Sequence, residues 1–210
     1  MKKMLTAFTV LALIPACDST PVVDAAAAAQ IVSRPAPDFR LVDANGKPVS
    51  LSDFRGKTVV LEWNNPGCPF VKKHYGSGNL QKAQAAAAKD GVVWLTINSG
   101  APGKQGHLSG AEARSMLAQA GARPSAYLLD PAGAVGRAYD AKTTPHMYVV
   151  NKAGTLVYAG GIDDKPTANP ADVNGARNHV LAALSELKAG KAVSVTTSRP
   201  YGCAVKYKDS

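Results

Sequence analysis

Residues 58–63 and 92–98 are apolar at almost every position, the pattern of strands in a parallel sheet covered on both faces. Between them, residues 70–88 form an Ala-rich, helix-compatible stretch that reaches about Lys89 and stops at Asp90-Gly91. A loop with Gly100, Pro102, Gly103 and Gly106 precedes a second predicted helix at 110–120. A short strand at 126–129 and a helical turn at 135–139 follow. Two strands, 147–150 and 155–159, flank the hairpin signal Asn151-Lys152-Ala153-Gly154. A last helix, about 173–188, places Val180, Leu181, Leu184 and Leu187 on one face. Ahead of the first buried strand, Pro37-Asp38-Phe39-Arg40-Leu41 and the turn Asp43-Ala44-Asn45-Gly46-Lys47 open an N-terminal β-hairpin. From 193 to 210 the chain is punctuated by Pro and Gly and reads as a flexible tail, free to swing.

This order predicts an α/β sandwich with a mixed central sheet, in one domain spanning 35–210. No internal repeat and no second core is visible. The 210 residues suffice for one domain with a real core. The formal charge of +9 (24 Lys and Arg against 15 Asp and Glu) is scattered, without a basic block or aromatic interleaving. That distribution reads as a solvated surface and gives no support to nucleic-acid binding.

Residues 1–17 combine a basic start at Lys2 and Lys3, an apolar core at 4–14 and a small-residue end, the layout of a secretory signal too short to span a membrane. Ile14-Pro15-Ala16-Cys17 resembles a bacterial lipobox, which makes Cys17 a lipidation site. Asp18 in second place then implies an inner-membrane lipid anchor through Cys17. Cleavage within the Ala-rich stretch 25–29 is the rival. Residues 18–34 read as a linker. Either way the domain is expected to be exported to the periplasm with two thiols, Cys68 and Cys203, where disulfides persist.

Cys68 carries the main candidate chemistry. It follows the strand at 58–63 through Asn64-Asn65-Pro66-Gly67 and stands before Pro69-Phe70, where a helix begins. A sulfur in the first turn of a helix sits among unpaired backbone N–H groups and the positive end of the dipole, both of which favour thiolate. Pro69 suits the first helical position, where a missing N–H costs nothing. Lys72 and Lys73 are expected to add positive charge one turn on. The alternative is an inert buried cysteine.

Four segments resemble the redoxin branch of the thioredoxin fold, the group of alkyl hydroperoxide reductase/thiol-specific antioxidant-like proteins and periplasmic thiol–disulfide oxidoreductases. They are Ala36-Pro37-Asp38-Phe39-Arg40-Leu41 with Leu51-Ser52-Asp53-Phe54-Arg55-Gly56-Lys57; Val59-Val60-Leu61-Glu62-Trp63 before Cys68; Thr144-Pro145; and the hairpin 151–158. The resemblance implies a thioredoxin-like three-layer sandwich over about 35–190, an antioxidant-type oxidoreductase without a cofactor, and a cis-proline at Pro145 facing Cys68. Two departures stand out. Val71 replaces the second cysteine of a Cys-x-x-Cys site, and Asn65 and Leu61 stand where a peroxiredoxin carries Thr and Pro.

The implied partners are protein or small-molecule thiols, disulfides or peroxides, with a separate reducing partner. Cys68 is the expected attacking thiolate. Cys203 is either its resolving partner, half of a permanent disulfide, or uninvolved. Thr144-Pro145 presents a backbone edge to a substrate disulfide, or is an ordinary turn. Glu62 is a proton carrier with a raised pKa, or else points to solvent or pairs with a lysine. His74 is expected at the surface, the alternative being an acid/base or metal ligand; Trp63 and Trp94 in the core and not on a recognition surface; and Arg137 capping its turn, the alternative being to attract an anion to the site. Two rival functions remain: a copper-handling module using Cys68, Cys203, His146 and Met147, and a redox-inactive binding domain.

Overall fold

The computed structural model describes residues 31–209. The predicted signal segment, Cys17 and the linker up to residue 30 lie outside the described residues. A seven-stranded sheet forms the centre: β1 (Arg40–Asp43), β2 (Pro48–Ser50), β3 (Val59–Trp63), β4 (Val93–Asn98), β5 (Ala126–Leu129), β7 (His146–Val150) and β8 (Leu156–Gly160), ordered β2-β1-β5-β4-β3-β7-β8. β3, β4 and β5 run parallel, while β7, β8 and the β1–β2 hairpin pair antiparallel to their neighbours. This is the mixed-sheet α/β sandwich expected from the order of elements, in the thioredoxin-like form that the resemblance implied. A separate short pair joins β6 (Thr143–Thr144) to β9 (Cys203–Ala204).

The continuous apolar runs have the cause inferred for them. All residues of β3 and β4 are buried, because side chains alternate between two filled faces. Val59, Leu61 and Trp63 pack on one side with Phe39, Ile97, Tyr139 and Tyr148. Val60 packs on the other with Leu80, Ala83, Trp94, Val149 and Val180. Glu62, two residues on, shares the Val60 face by the same alternation.

Four features differ from the expectation. The Ala-rich stretch is two helices, α1 (Pro69–Gly76) and α2 (Asn79–Lys89), because Gly78 adopts a left-handed φ of +73° between them. After α3 (Gly110–Ala120) and the short α4 (Ala134–Ala138), the final helix α5 is His179–Lys188. The expected start of α5 near 173 is instead a 3-10 turn, Pro170–Val173, and the Asn178 side chain caps the true start by accepting the Leu181 N–H at 2.9 Å. Residues 32–34, assigned to the linker, are packed on the domain: Val32 is buried in the core, and Ser33 and Arg34 exchange backbone hydrogen bonds with Leu156.

The fourth difference matters most. The tail does not swing freely; it is fastened at three places. The Ala159 N–H donates to Thr196 and the Ser198 N–H to Ala159. β9 pairs with β6. Val205 joins the core, and the Ala101 N–H donates to Lys206.

At the first of these places, a Cβ on Gly160 would lie 2.4 Å from Ser198 Oγ and 2.5 Å from its carbonyl oxygen. Gly160→Ala is therefore expected to push the tail off β8 and cost about 1–3 kcal/mol, the range for overpacking. Urea unfolding measures it; an unchanged midpoint would mean that the tail contributes no packing there.

Candidate active site

β3 ends at Trp63, and the turn through Asn64–Gly67 delivers Cys68 to the N-cap of α1 with φ −75° and ψ 127°. Asn65 shapes the turn, accepting the Gly67 N–H at 2.9 Å while its amide donates to the Gln105 side chain at 2.9 Å. The helix start is as expected, with Pro69 in the first turn. The Cys68 side chain is sealed from solvent, 0% exposed. Its sulfur lies 3.0 Å from the Thr144 carbonyl oxygen, to which the thiol donates.

Thr144 is joined to Pro145 by a cis peptide bond, and its partner across the β6–β9 pair is Cys203. Thr144, Pro145 and Cys203 therefore meet at Cys68. Both cysteines are reduced. The close approach depends on Gly202, whose φ is +130°; any Cβ there would fall 2.0 Å from the Thr144 carbonyl oxygen.

The two thiols are electrostatically unequal. Burial pushes the Cys68 thiol up, but donors oppose it: the Cys203 thiol, the Val71 N–H in the first turn of α1, the Cys203 N–H and the Thr144 side chain. Their sum leaves Cys68 below its ordinary value. The Thr144 carbonyl favours the protonated form, yet one acceptor is outweighed by four donors. Cys203 moves the other way, raised to about 11 by burial, by its hydrogen bond to Cys68 and by the charge there. Of the two thiols, Cys68 is the one that gives up its proton first.

The two lysines expected to assist Cys68 do not act together. Lys73 is buried; its ammonium donates to the Lys165 carbonyl at 2.7 Å and lies 3.9 Å from Asp163. Asp163 offsets its charge.

His74 is not at the surface either. It is fully buried, with Nδ1 accepting from Asn79 at 2.8 Å and Nε2 3.1 Å from the Tyr201 hydroxyl. The Tyr201 hydroxyl in turn donates to Asp163. Burial lowers the His74 pKa to about 4, against the pull of Asp163 and with the help of Lys73. This Lys73–Asp163–Tyr201–His74 cluster, with the Tyr201 ring edge-on to Phe70, clamps the tail two residues before Cys203. Sequence reading misses it, since Asp163 sits in a loop after β8 with no local motif.

Glu62 neither faces solvent nor pairs with a lysine. It is fully buried and receives hydrogen bonds from Asn64, Tyr75, Trp94 and Thr96 at 2.8–3.2 Å. Burial raises its pKa, the four donors only partly opposing it. Neither sulfur is among its partners.

Trp63 and Trp94 are core residues as expected, with their indole N–H groups satisfied by Ser99 and Glu62. Arg137 donates to the Ala132 carbonyl and lies over the Tyr207 ring, fixing the α4 turn. His146 is buried with Nδ1 3.0 Å from the Tyr148 hydroxyl. Among the described residues no group of three or more His, Cys, Asp or Glu side chains converges on a metal-sized site.

The inequality of the thiols is measurable. Alkylation of Cys68 by iodoacetamide is expected to reach its half-maximal rate below about pH 8.5, the free-thiol value. Cys203→Ala should move that midpoint up, because one donor to the sulfur is lost. A midpoint above 8.5 in the native protein would contradict the assignment. Glu62→Gln tests the buried carboxyl. Its folded pKa is raised, so the folded state holds a proton that the unfolded state releases, and stability falls as pH rises through the folded value. The glutamine variant should gain on the native protein between about pH 4.5 and that value, then by a constant amount, about 1.4 kcal/mol per unit of displacement. Urea titrations across pH would show a flat difference if the carboxylate were comfortable.

A crystal structure of an uncharacterized conserved protein from Geobacillus kaustophilus matches with 28% identity and a TM-score of 0.74, covering 85% of this chain and 93% of the other. A hypothetical protein from Sinorhizobium meliloti matches with 25% identity and a TM-score of 0.71, covering 85% and 96%. A structure described as a DsbE thiol:disulfide interchange protein from Chlorobium tepidum matches with 25% identity and a TM-score of 0.50, over 61% and 83%. No functionally curated protein matches the chain. The family model of AhpC/TSA covers residues 32–159, from the buried Val32 through β8, and includes Cys68, Thr144 and Pro145. With that coverage and this sheet order, the chain belongs to the AhpC/TSA family of redoxins.

Proposed function

We propose that this protein is an exported thiol–disulfide oxidoreductase in which Cys68 attacks and Cys203 resolves. The observation that carries the reading is the meeting of two reduced cysteines at the N-terminus of α1, with Cys203 strand-paired to the residue whose carbonyl contacts Cys68. The leader at 1–17 supports action outside the cytoplasm, where an oxidised partner is at hand. Cys17 as a lipid anchor belongs to the same proposal.

The Cys68 thiolate attacks one sulfur of a substrate disulfide. That S–S bond breaks, a mixed disulfide forms at Cys68, and the departing thiolate takes a proton from water. Cys68 is now neutral, so two of the three causes that hold Cys203 high, its hydrogen bond to the thiolate and the charge there, are gone. Lys206 then favours the Cys203 thiolate. Cys203 loses its proton and attacks the Cys68 sulfur, which expels the second substrate thiolate and leaves a Cys68–Cys203 disulfide. Two electrons have passed to the substrate, and a dithiol reductant returns them. The first step thus switches on the second.

Peroxide reduction is a second reading, favoured by the family match. A sulfenic acid at Cys68 would meet the same resolving thiol, with loss of water. At position 65 an amide replaces the peroxiredoxin hydroxyl and is committed to Gly67 and Gln105.

Cys68→Ser is expected to reduce disulfide and peroxide turnover to background. Cys203→Ser should still complete the first step and accumulate a mixed disulfide at Cys68, visible by non-reducing mass spectrometry. Retained activity in Cys68→Ser sinks the proposal; clean turnover without a trapped adduct in Cys203→Ser removes Cys203 from it.

A further inference from the structure

Beside the thiols runs a groove of about 520 Å³. Its lining includes Phe70, Thr143 and Gly202, near neighbours in the chain of Cys68, Thr144 and Cys203, together with Asp163, Asp164 and Arg199. Two observations here bear on which substrate the proposed reaction takes. The first is the main-chain edge at Thr143–Thr144. A polypeptide that lays a cysteine over Cys68 by strand addition would pair with that edge. The tail demonstrates the geometry: β9 pairs antiparallel with it, places Cys203 opposite Thr144, and so brings the thiol to Cys68. The edge is taken, and the taking is reinforced on both sides. The Tyr201 hydroxyl is held by His74 and Asp163, and the Val205 N–H donates to the Lys142 carbonyl at 2.9 Å. An extended substrate must break this whole set, whereas a compact molecule does not compete for the edge.

The second observation is the groove itself. Its volume lies in the range of small-molecule sites. Arg199 is exposed on its wall and has no hydrogen bond or ion pair to another side chain among the described residues. The two aspartates of the same groove are engaged, Asp163 by Lys73 and the Tyr201 hydroxyl and Asp164 by the Arg177 N–H, and the guanidinium that remains suits a carboxylate on the substrate.

Resting on the thiol–disulfide reading, we propose that the substrate is a low-molecular-weight disulfide bearing a carboxylate, and that β9 is a built-in strand excluding extended polypeptides from the edge beside Cys68. The carboxylate meets Arg199 in the groove while Cys68 attacks the nearer sulfur. The substrate S–S bond breaks, one half stays on Cys68 as a mixed disulfide, and the other leaves as a thiolate that water protonates.

The test uses the full chain carrying Cys203→Ser, which isolates the first step and keeps the tail. Single-turnover rates at Cys68 are measured with 3,3′-dithiodipropionate, with 2-hydroxyethyl disulfide, and with an unfolded polypeptide carrying a mixed disulfide. The dicarboxylate is expected to react fastest and the polypeptide slowest. Adding Arg199→Gln should cut the dicarboxylate rate about two- to fivefold, the scale of an exposed ion pair, and leave the neutral disulfide unchanged. Adding Tyr201→Phe instead, which removes one hydroxyl and keeps the ring, should raise the polypeptide rate several-fold relative to the two small disulfides. A polypeptide rate equal to or above the small-molecule rates overturns the exclusion, and no effect of Arg199→Gln overturns the carboxylate site. If no disulfide reacts at Cys68, the failure belongs to the oxidoreductase reading itself.

Discussion

Two hydrogen-bonded residues at each of two distant places hold this site together: Thr143–Thr144 beside the cis-proline, and Cys203–Ala204 in the tail. Almost every property of the site follows from that short ladder. It closes the cover over Cys68, brings a second sulfur within hydrogen-bonding reach, and makes the two thiols unequally acidic. A two-strand pair of this length has little stability alone. It persists because its flanks are anchored in the domain, through Tyr201 on one side and Val205 on the other. The chemistry at the sulfur is thus supported by contacts that contain no sulfur.

The supporting cluster has an uncommon composition. A lysine, an aspartate and a histidine share one buried volume with a tyrosine. Buried ion pairs are weak sources of net stability but costly to leave half-made. Their arrangement gives the tail one seat where a purely apolar contact would tolerate several. His74 contributes as a neutral ring, since its burial outweighs the nearby carboxylate. Positional definition of Cys203, measured in fractions of an ångström against Cys68, is what such a polar seat supplies.

Much of the fold was legible in the chain. The uninterrupted apolar runs identified β3 and β4, the Asn-Gly turn identified the β1–β2 hairpin, and α3 and β5 have the predicted bounds. These are local signals, so periodicity and turn chemistry reveal them. Cys68 at a helix start and the cis bond before Pro145 were also readable. The failures are of one kind. Gly78 broke a helix whose alanines argued for continuity, and the Pro- and Gly-marked tail looked loose because its partners are more than a hundred residues away in sequence. His74 was expected at the surface and Lys73 beside Cys68 for the same reason: the loop that covers them, with Asp163, lies about ninety residues further along the chain. Composition carries no record of a neighbour that distant.

The same remoteness has a consequence for biogenesis. Cys203 follows Cys68 by 135 positions (203 − 68), so Cys68 leaves the ribosome long before its cover exists. The parallel core of β3, β4 and β5 needs only residues up to 129, whereas the ladder must await the last stretch of chain and close a very long loop. For that interval the Cys68 sulfur lacks the cover that β9 later gives it, and is more open to thiol-reactive molecules than in the finished molecule.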